Sequence, residues 1–170
     1  DKMKKLYLPQ PDEKTGIIPQ FDGYFDLKEI DLSVYKNASV VGTIFHDYSG
    51  EDVQGMQAGK QADIVELLYQ MEDITTPDNK AKNYVYYEAR TLHDSSLSKA
   101  IHSITACDLG MEKEAYEMFM SAALTDLGQE MKSSDAGIHS ANMGGVWQDV
   151  VMGFGGIRIR DGHLRIAPNC

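Results

Sequence analysis

Apolar side chains recur at helical spacing in the middle of the chain. The first set follows the i, i+3, i+4, i+7 pattern and comprises Ile64, Leu67, Leu68 and Met71. This spacing puts the four side chains on one face and predicts an amphipathic helix from about Met56 to Glu72. Lys60 lies one turn before Ile64 on that face, so we expect its side chain to be turned away from solvent.

Three later stretches have the same period. They predict helices from about Ser96 to Leu109, Glu112 to Leu127 and Ile138 to Val151. The first is followed by Gly110, a residue type that favours the left-handed backbone found after many helices. The last contains Gly144-Gly145, and each glycine costs about 1 kcal/mol relative to alanine in a helix. Either another element packs closely there, or the helix is weak.

After Gly156 the pattern changes to a period of two. Two alternating runs, Ile157 to Arg160 and Leu164 to Ile166, flank an Asp161-Gly162 turn, which predicts a β-hairpin. We therefore expect a helical region to end near residue 155 and a β region to begin at residue 156. Prolines and glycines interrupt residues 1–54, which predicts loops and one short helix near Leu27 to Tyr35.

Charge and composition limit the possible partners. The chain has 170 residues, with 16 Lys and Arg against 26 Asp and Glu, and a net charge of −10. Its basic residues are scattered, so we expect no nucleic-acid binding, which needs clustered cations to neutralise phosphates. We also expect no membrane partner. The acidic surface repels anionic lipid head groups, and the sequence has no apolar run near the ~20 residues of a membrane span. We expect a soluble, cytoplasmic protein.

The sequence contains no motif for a metal or a nucleotide cofactor. Cys107 falls within a predicted helix and Cys170 is the last residue, so neither has a metal-binding or redox neighbour. GxGxxG and P-loop patterns are missing as well. Residue 1 is not Met, and both ends interrupt apparent elements, so we expect this chain to be a segment of a longer protein.

The strongest candidate for anion binding is the run His93 to Ser96, which opens the second predicted helix. Free N–H groups and the positive end of the helix dipole favour an anion, and serine hydroxyls suit phosphate oxygens. The same residues could serve only as a helix cap. His139 could add a donor, although a lone helical histidine is more often structural.

Two further positions are candidates for sugar binding. Lys60-Gln61 places a cation near a predicted helix start, where the dipole disfavours it. A bound anion or sugar hydroxyl would explain this placement, and so would a lysine that extends its head group to solvent. Glu88 follows the aromatic run Tyr84 to Tyr87, a composition found in sugar-lined clefts and in cores alike.

Four collinear segments of the chain resemble glycoside hydrolase family 65, in particular its maltose and kojibiose phosphorylase type. They read GIIPQFDGYFDL (16–27), GKQAD (59–63), YYEARTLHDSSLS (86–98) and GIHSANMGGVWQDVVMGFGGIRIRDGHLRIAP (137–168). The resemblance implies a mainly α protein in which residues 1–155 are the C-terminal part of an (α/α)6-barrel catalytic domain. Residues 156–170 would be the first hairpin of a C-terminal β-sandwich domain.

The resemblance also implies an activity. Such enzymes cleave an α-glucosyl disaccharide with inorganic phosphate as co-substrate, need no cofactor, and release β-glucose 1-phosphate with inversion. The residues matched to sugar binding are Lys60, Gln61 and Glu88. The residues matched to phosphate binding are Ser95, Ser96 and His139.

The family's general acid lies farther upstream than this chain extends. The resemblance therefore implies that the 170 residues alone are inactive. Separately, we expect the complete enzyme to be a homodimer. Two alternatives stay open. A hydrolase of the same family, such as a trehalase or kojibiose hydrolase, would use a carboxylate such as Glu88 as base. A helical interaction module without chemistry would keep Lys60, Ser95 and His139 apart.

Overall fold

A computed structural model describes residues 8–36, 38, 40–61, 63–128 and 137–169. The described chain is mainly helical, as predicted. Its α-helices are α1 (Ser33–Lys36), α2 (Gly50–Gln54), α3 (Asp63–Gln70), α4 (Pro77–Ala89), α5 (Ser98–Asp108), α6 (Glu112–Ala123) and α7 (Ser140–Gln148). Short 3-10 helices span Tyr24–Asp26, Thr43–His46 and Glu72–Ile74, and a π-helix spans Asp149–Phe154. Strands β1 (Ile157–Arg160) and β2 (His163–Ile166) form the hairpin.

The predicted helix from Met56 to Glu72 is wrong in its first half, because α3 begins only at Asp63. The backbone before α3 pairs elsewhere: Met56 forms a bridge with Lys28, and Gly59 forms one with Thr91. These bridges use the N–H and C=O groups that a helix would need. Long-range pairing therefore overrides the local apolar period.

Helix α4 was not predicted, although its start has a readable signal. The Thr76 hydroxyl accepts a hydrogen bond from the Asn79 N–H at 3.2 Å, and Pro77 is the first helical residue. A capping hydroxyl followed by proline favours a helix start. The aromatic run Tyr84 to Tyr87 lies on this helix, which turns two of its rings into the core.

The later predicted helices are confirmed with shorter bounds. Helix α5 begins two residues after Ser96 and ends before Gly110, whose φ of 70° is left-handed as expected. Helix α6 ends at Ala123 instead of Leu127. Helix α7 passes directly into the π-helix. Of the short helix predicted near Leu27 to Tyr35, only α1 at its end is helical.

The core lies between α3, α4 and α5, and its fully buried members include Leu68, Tyr84 and Ile104. A smaller apolar cluster of Leu32, Ile44 and Leu92 packs the N-terminal loops against the segment between α4 and α5. That segment is therefore held from both sides. Two of the six candidate site residues, Ser95 and Ser96, lie in it.

Helices α5 and α7 run side by side in the same direction. A Cβ added at Gly145 would lie 3.1 Å from the Ala100 Cβ, and farther along the Ser103 hydroxyl donates to Asp149 at 2.9 Å. The close approach at Gly145 confirms that another element packs on the glycine pair. Because both contacts advance together along the two helices, the N-terminal ends of α5 and α7 lie at the same end of the molecule.

The hairpin docks on the helices through its arginine face. The predicted turn is confirmed, with positive φ at Asp161 and Gly162, and Ile157 pairs with Ile166. Arg158 is buried and bonds the two Asp108 oxygens at 2.6 and 2.9 Å. The apolar face of the hairpin is left exposed, with Ile159 71% accessible.

Candidate functional site

Lys60 and Gln61 lie in a bend before α3, not on its apolar face, and both are exposed. The expectation that Lys60 turns away from solvent is wrong. The Gly59 N–H donates to the Arg90 carbonyl at 2.7 Å, and the Leu92 N–H donates to Gly59 at 2.8 Å. This pairing sets Lys60 and Gln61 beside the segment that leads into α5.

Glu88 lies near the C-terminal end of α4, and its carboxylate is held by two neighbours. The Lys36 ammonium donates to Glu88 Oε1 and to the Glu88 carbonyl, each at 2.6 Å. His93 Nε2 lies 3.4 Å from the same Oε1. Burial alone would raise the pKa of Glu88, but the bonds from His93 and Lys36 outweigh it and lower the pKa to about 2. Glu88 is therefore ionised.

Lys36 has no signal in the sequence that links it to the site. It lies 52 residues before Glu88, in the loop-rich N-terminal part of the chain. Only the folding of that part against α4 brings the two side chains together. Sequence reasoning could not have found this pair.

His93 is buried between α4 and α5, with an uncommon backbone φ of 55°. Its Nδ1 lies 2.9 Å from the Ser98 hydroxyl. Burial lowers the pKa of His93 more than Glu88 raises it, so the ring is neutral at neutral pH. The fully buried His102 ring packs edge-on against His93, with ring centres 4.6 Å apart.

Ser95 and Ser96 lie in the turn before α5, whereas the sequence predicted that they cap a helix beginning at about Ser96. The Ser98 N–H donates to the Ser95 carbonyl at 3.1 Å, and the Leu97 N–H lies 3.3 Å from the Ser95 hydroxyl. Leu97 is the N-cap residue of α5 and provides no side-chain cap. A helix start without a side-chain cap has N–H groups available to an anion.

His139 is the N-cap residue of α7 and is oriented by Asp126. Its backbone N–H donates to Asp126 Oδ2 at 2.8 Å, and its Nδ1 lies 2.6 Å from Asp126 Oδ1. The His139 bonds lower the pKa of Asp126, so this partner is a carboxylate. Nε2 is the ring nitrogen left for a ligand, and it donates when the ring is an imidazolium. The parallel packing of α5 and α7 puts His139 at the same end as Ser95 and Ser96.

A groove of about 440 Å³ opens beside Glu88 and His93. Its charged lining has both signs and comprises Lys36, Glu88, Lys99, Glu114 and Glu117. Carboxylates and ammonium groups together can accept from and donate to sugar hydroxyls. A cavity of about 490 Å³ lies under the hairpin around Arg158, where the charged groups already pair with one another.

One group in the described residues has the composition of a metal site. Glu88, His93 and His102 each offer a ligand atom, and these atoms lie within 4.8 Å of one another. However, Lys36 already bonds the Glu88 carboxylate and Ser98 bonds the His93 ring. We therefore assign no metal to this group.

The sequence itself defines the class of protein. Residues 1–148 match the profile of the glycosyl hydrolase family 65 central catalytic domain. The chain belongs to this family, as the four collinear segments indicated.

Among individual relatives within the family, this chain is similar to disaccharide phosphorylases. The chain is 48% identical over 168 residues to the kojibiose phosphorylase of Halothermothrix orenii, covering 98% of this chain and 21% of the relative. It is 40% identical over 168 residues to the kojibiose phosphorylase of Escherichia coli, covering 98% of this chain and 22% of that relative. The chain thus spans about a fifth of the length of these relatives.

A solved structure shows the same fold. It is described as a "Putative kojibiose phosphorylase from human microbiome" and superposes with a TM-score of 0.81 at 32% identity, covering 95% of this chain and 24% of that chain. Among the described residues, we find no helix with the length and apolar character needed to cross a membrane.

Proposed function

We propose that this chain is part of an inverting glycoside phosphorylase that cleaves an α-glucosyl disaccharide with inorganic phosphate. The products are β-glucose 1-phosphate and the released sugar. Kojibiose is the proposed substrate, because two relatives at 48% and 40% identity carry that name. The observation that carries the proposal is the turn of Ser95 and Ser96 before a helix start without a side-chain cap, in a member of this family.

In this proposal the chain holds the phosphate and part of the sugar. Ser95, Ser96 and His139 donate hydrogen bonds to phosphate oxygens, while Lys60 and Gln61 contact the glucosyl unit. A phosphate oxygen forms a bond to the anomeric carbon as the glycosidic bond on the opposite face breaks. The leaving oxygen takes a proton from a carboxylic acid that we place outside these 170 residues. The segment alone is then inactive.

We also propose two regions within the chain. Residues 1–155 form the end of the helical catalytic domain, and residues 156–170 begin a β domain. The exposed apolar face of the hairpin supports this division, because apolar residues on both strands would pack well against a second sheet.

The hydrolase alternative is disfavoured by the chemistry of Glu88. A hydrolase would need this carboxylate to take a proton from water. With its pKa lowered to about 2 and its Oε1 bonded to both Lys36 and His93, Glu88 is a weak base. Attacking phosphate is already an anion and needs no base.

Product analysis tests the proposal. The complete enzyme is incubated with kojibiose, maltose, nigerose or trehalose, with and without inorganic phosphate, and the products are followed by ³¹P and ¹H NMR. We expect β-glucose 1-phosphate from kojibiose only when phosphate is present. Free glucose formed equally fast without phosphate would refute phosphorolysis, and a preference for maltose would correct the substrate.

A further inference from the structure

The backbone of His93 is unusual for this residue type. Among the described residues, only His93 and Asp161 combine a side chain with a positive φ. Asp161 lies in a two-residue hairpin turn, which requires this conformation. No hairpin requires it at His93. Such a conformation in a non-glycine residue persists only where the surroundings enforce it.

The surroundings of the His93 ring provide that enforcement. Because Glu88 is ionised and His93 is neutral, Nε2–H donates to Glu88 Oε1 at 3.4 Å. Nδ1 is then an acceptor, and the Ser98 hydroxyl donates to it at 2.9 Å. One ring thus connects the end of α4 to the first residue of α5.

The fully buried His102 limits the ring further. It packs between His93 and Tyr84, with ring centres 4.6 and 5.6 Å away. Neither ring nitrogen of His102 has a hydrogen-bond partner among the described residues. Its contribution to His93 is therefore steric, and it does not compete for Glu88 or Ser98.

The chain after His93 forms the candidate phosphate turn. The Asp94 carboxylate accepts from the Gly42 N–H at 3.0 Å, and the turn closes when the Ser98 N–H donates to the Ser95 carbonyl. The direction of the backbone at His93 decides where this turn goes. The positions of Ser95 and Ser96 therefore depend on the backbone at His93, because the structure shows no hydrogen bond from either serine to α4.

We propose that His93 is a positioning residue that aims the Ser95-Ser96 turn at phosphate and fixes the Glu88 carboxylate beside it. The inference rests on the proposed function. His93 acts through its left-handed backbone and through its two ring bonds. It makes no contact with the reacting atoms.

Three substitutions in the complete enzyme separate these contributions. His93→Ala removes the ring and disfavours the left-handed backbone, whereas His93→Gly removes only the ring. His93→Asn tolerates the backbone and retains an N–H donor for Glu88. His163→Ala, on the exposed second strand, is the control.

We expect His93→Ala to raise the KM for phosphate about tenfold or more, with a change in the KM for disaccharide of about threefold or less. His93→Gly should lie between His93→Ala and wild type, and His93→Asn should recover most of the phosphate affinity. Thermal midpoints are measured in parallel. If His93→Ala does not fold, the inference is tested with His93→Asn and His93→Gly. In each of these variants, the change in the KM for phosphate is compared with the change in the KM for disaccharide.

Equal phosphate KM values in wild type, His93→Asn and His93→Gly would overturn the inference, as would equal losses for both substrates. Failure of the proposed function looks different. In that case the wild-type enzyme itself would turn over disaccharide without any dependence on phosphate.

Discussion

At the scale of single residues, the candidate site has paired charges beside two serine hydroxyls, of which Ser95 accepts from the Leu97 N–H and neither is seen to donate to a described residue. Lys36 and His93 satisfy Glu88, and Asp126 satisfies one side of His139. Ser95 and Ser96 instead lie in a partly exposed turn. The fixed groups set the geometry, and the serines are placed to bind.

This arrangement predicts the effect of removing the hydroxyls. In the complete enzyme, Ser95→Ala with Ser96→Ala should raise the KM for phosphate by one to two orders of magnitude, more than that for disaccharide. The reason is that preorganised donors to a charged group typically contribute about 3 kcal/mol in such sites. Steady-state kinetics with each substrate varied in turn measure the split.

Thr15→Ala is a suitable control for that double variant, because this exposed hydroxyl bonds only Asp12 and the Ile17 N–H among the described residues. It should leave both KM values unchanged. A double serine variant with wild-type phosphate kinetics would remove these residues from the phosphate site.

At the scale of elements, Asp149 in the π-helix links protonation to stability. Its side chain is fully buried, Oδ1 accepts from the Ser103 hydroxyl, and Oδ2 has no partner among the described residues. Burial raises the pKa of Asp149 to about 7. The hydrogen bond from Ser103 lowers this pKa, but by less than burial raises it. Between about pH 4 and pH 7 the folded chain holds a proton that the unfolded chain has lost.

The free energy of unfolding should therefore fall as pH rises through that window, by about 1.4 kcal/mol per pH unit from this group. Asp149→Asn should remove this contribution and make the enzyme relatively more stable at pH 8. Thermal midpoints between pH 5 and pH 8 test it, with the exposed Asp161→Asn as control. An unchanged slope in Asp149→Asn would contradict the raised pKa.

Elements with continuous local signals could be predicted, and those fixed by distant contacts could not. The stripe of α5 and the Asp161-Gly162 turn are local, and both were found. The start of α3 was misplaced because Gly59 pairs with Thr91, far along the chain. The candidate site shows the same division: a local cluster was enough to propose Ser95 and Ser96, whereas the positions of Lys36 and Asp126 depend on tertiary contacts.

At the scale of the whole molecule, the chain leaves large apolar side chains uncovered. Trp147 is 60% exposed, Leu127 83% and Ile138 70%. Met118, Phe119 and Phe154 are partly buried. Uncovered apolar side chains thus lie on α7, at Leu127 and Ile138, and also on the hairpin, where Ile159 is 71% exposed.

The isolated 170-residue chain should therefore bind a hydrophobic dye and self-associate. Dye fluorescence and light scattering across a concentration series measure both effects. Trp147→Gln should lower dye binding, whereas Trp147→Phe should retain it. A monomer with cooperative thermal unfolding and no dye binding would show that this surface is not exposed in solution.

Helix α5 has different partners at its two ends. Ser98 at the first residue bonds His93, and Asp108 at the last residue holds Arg158 of the hairpin. Eleven residues make a rigid strut of about 16 Å. We expect a tilt imposed on the hairpin to be transmitted along this helix to the turn that contains Ser95 and Ser96. The hairpin and the Ser95-Ser96 turn are thus coupled through α5. We expect the alignment of the serines to depend on the two hydrogen bonds from Arg158 to Asp108 at the other end of this helix.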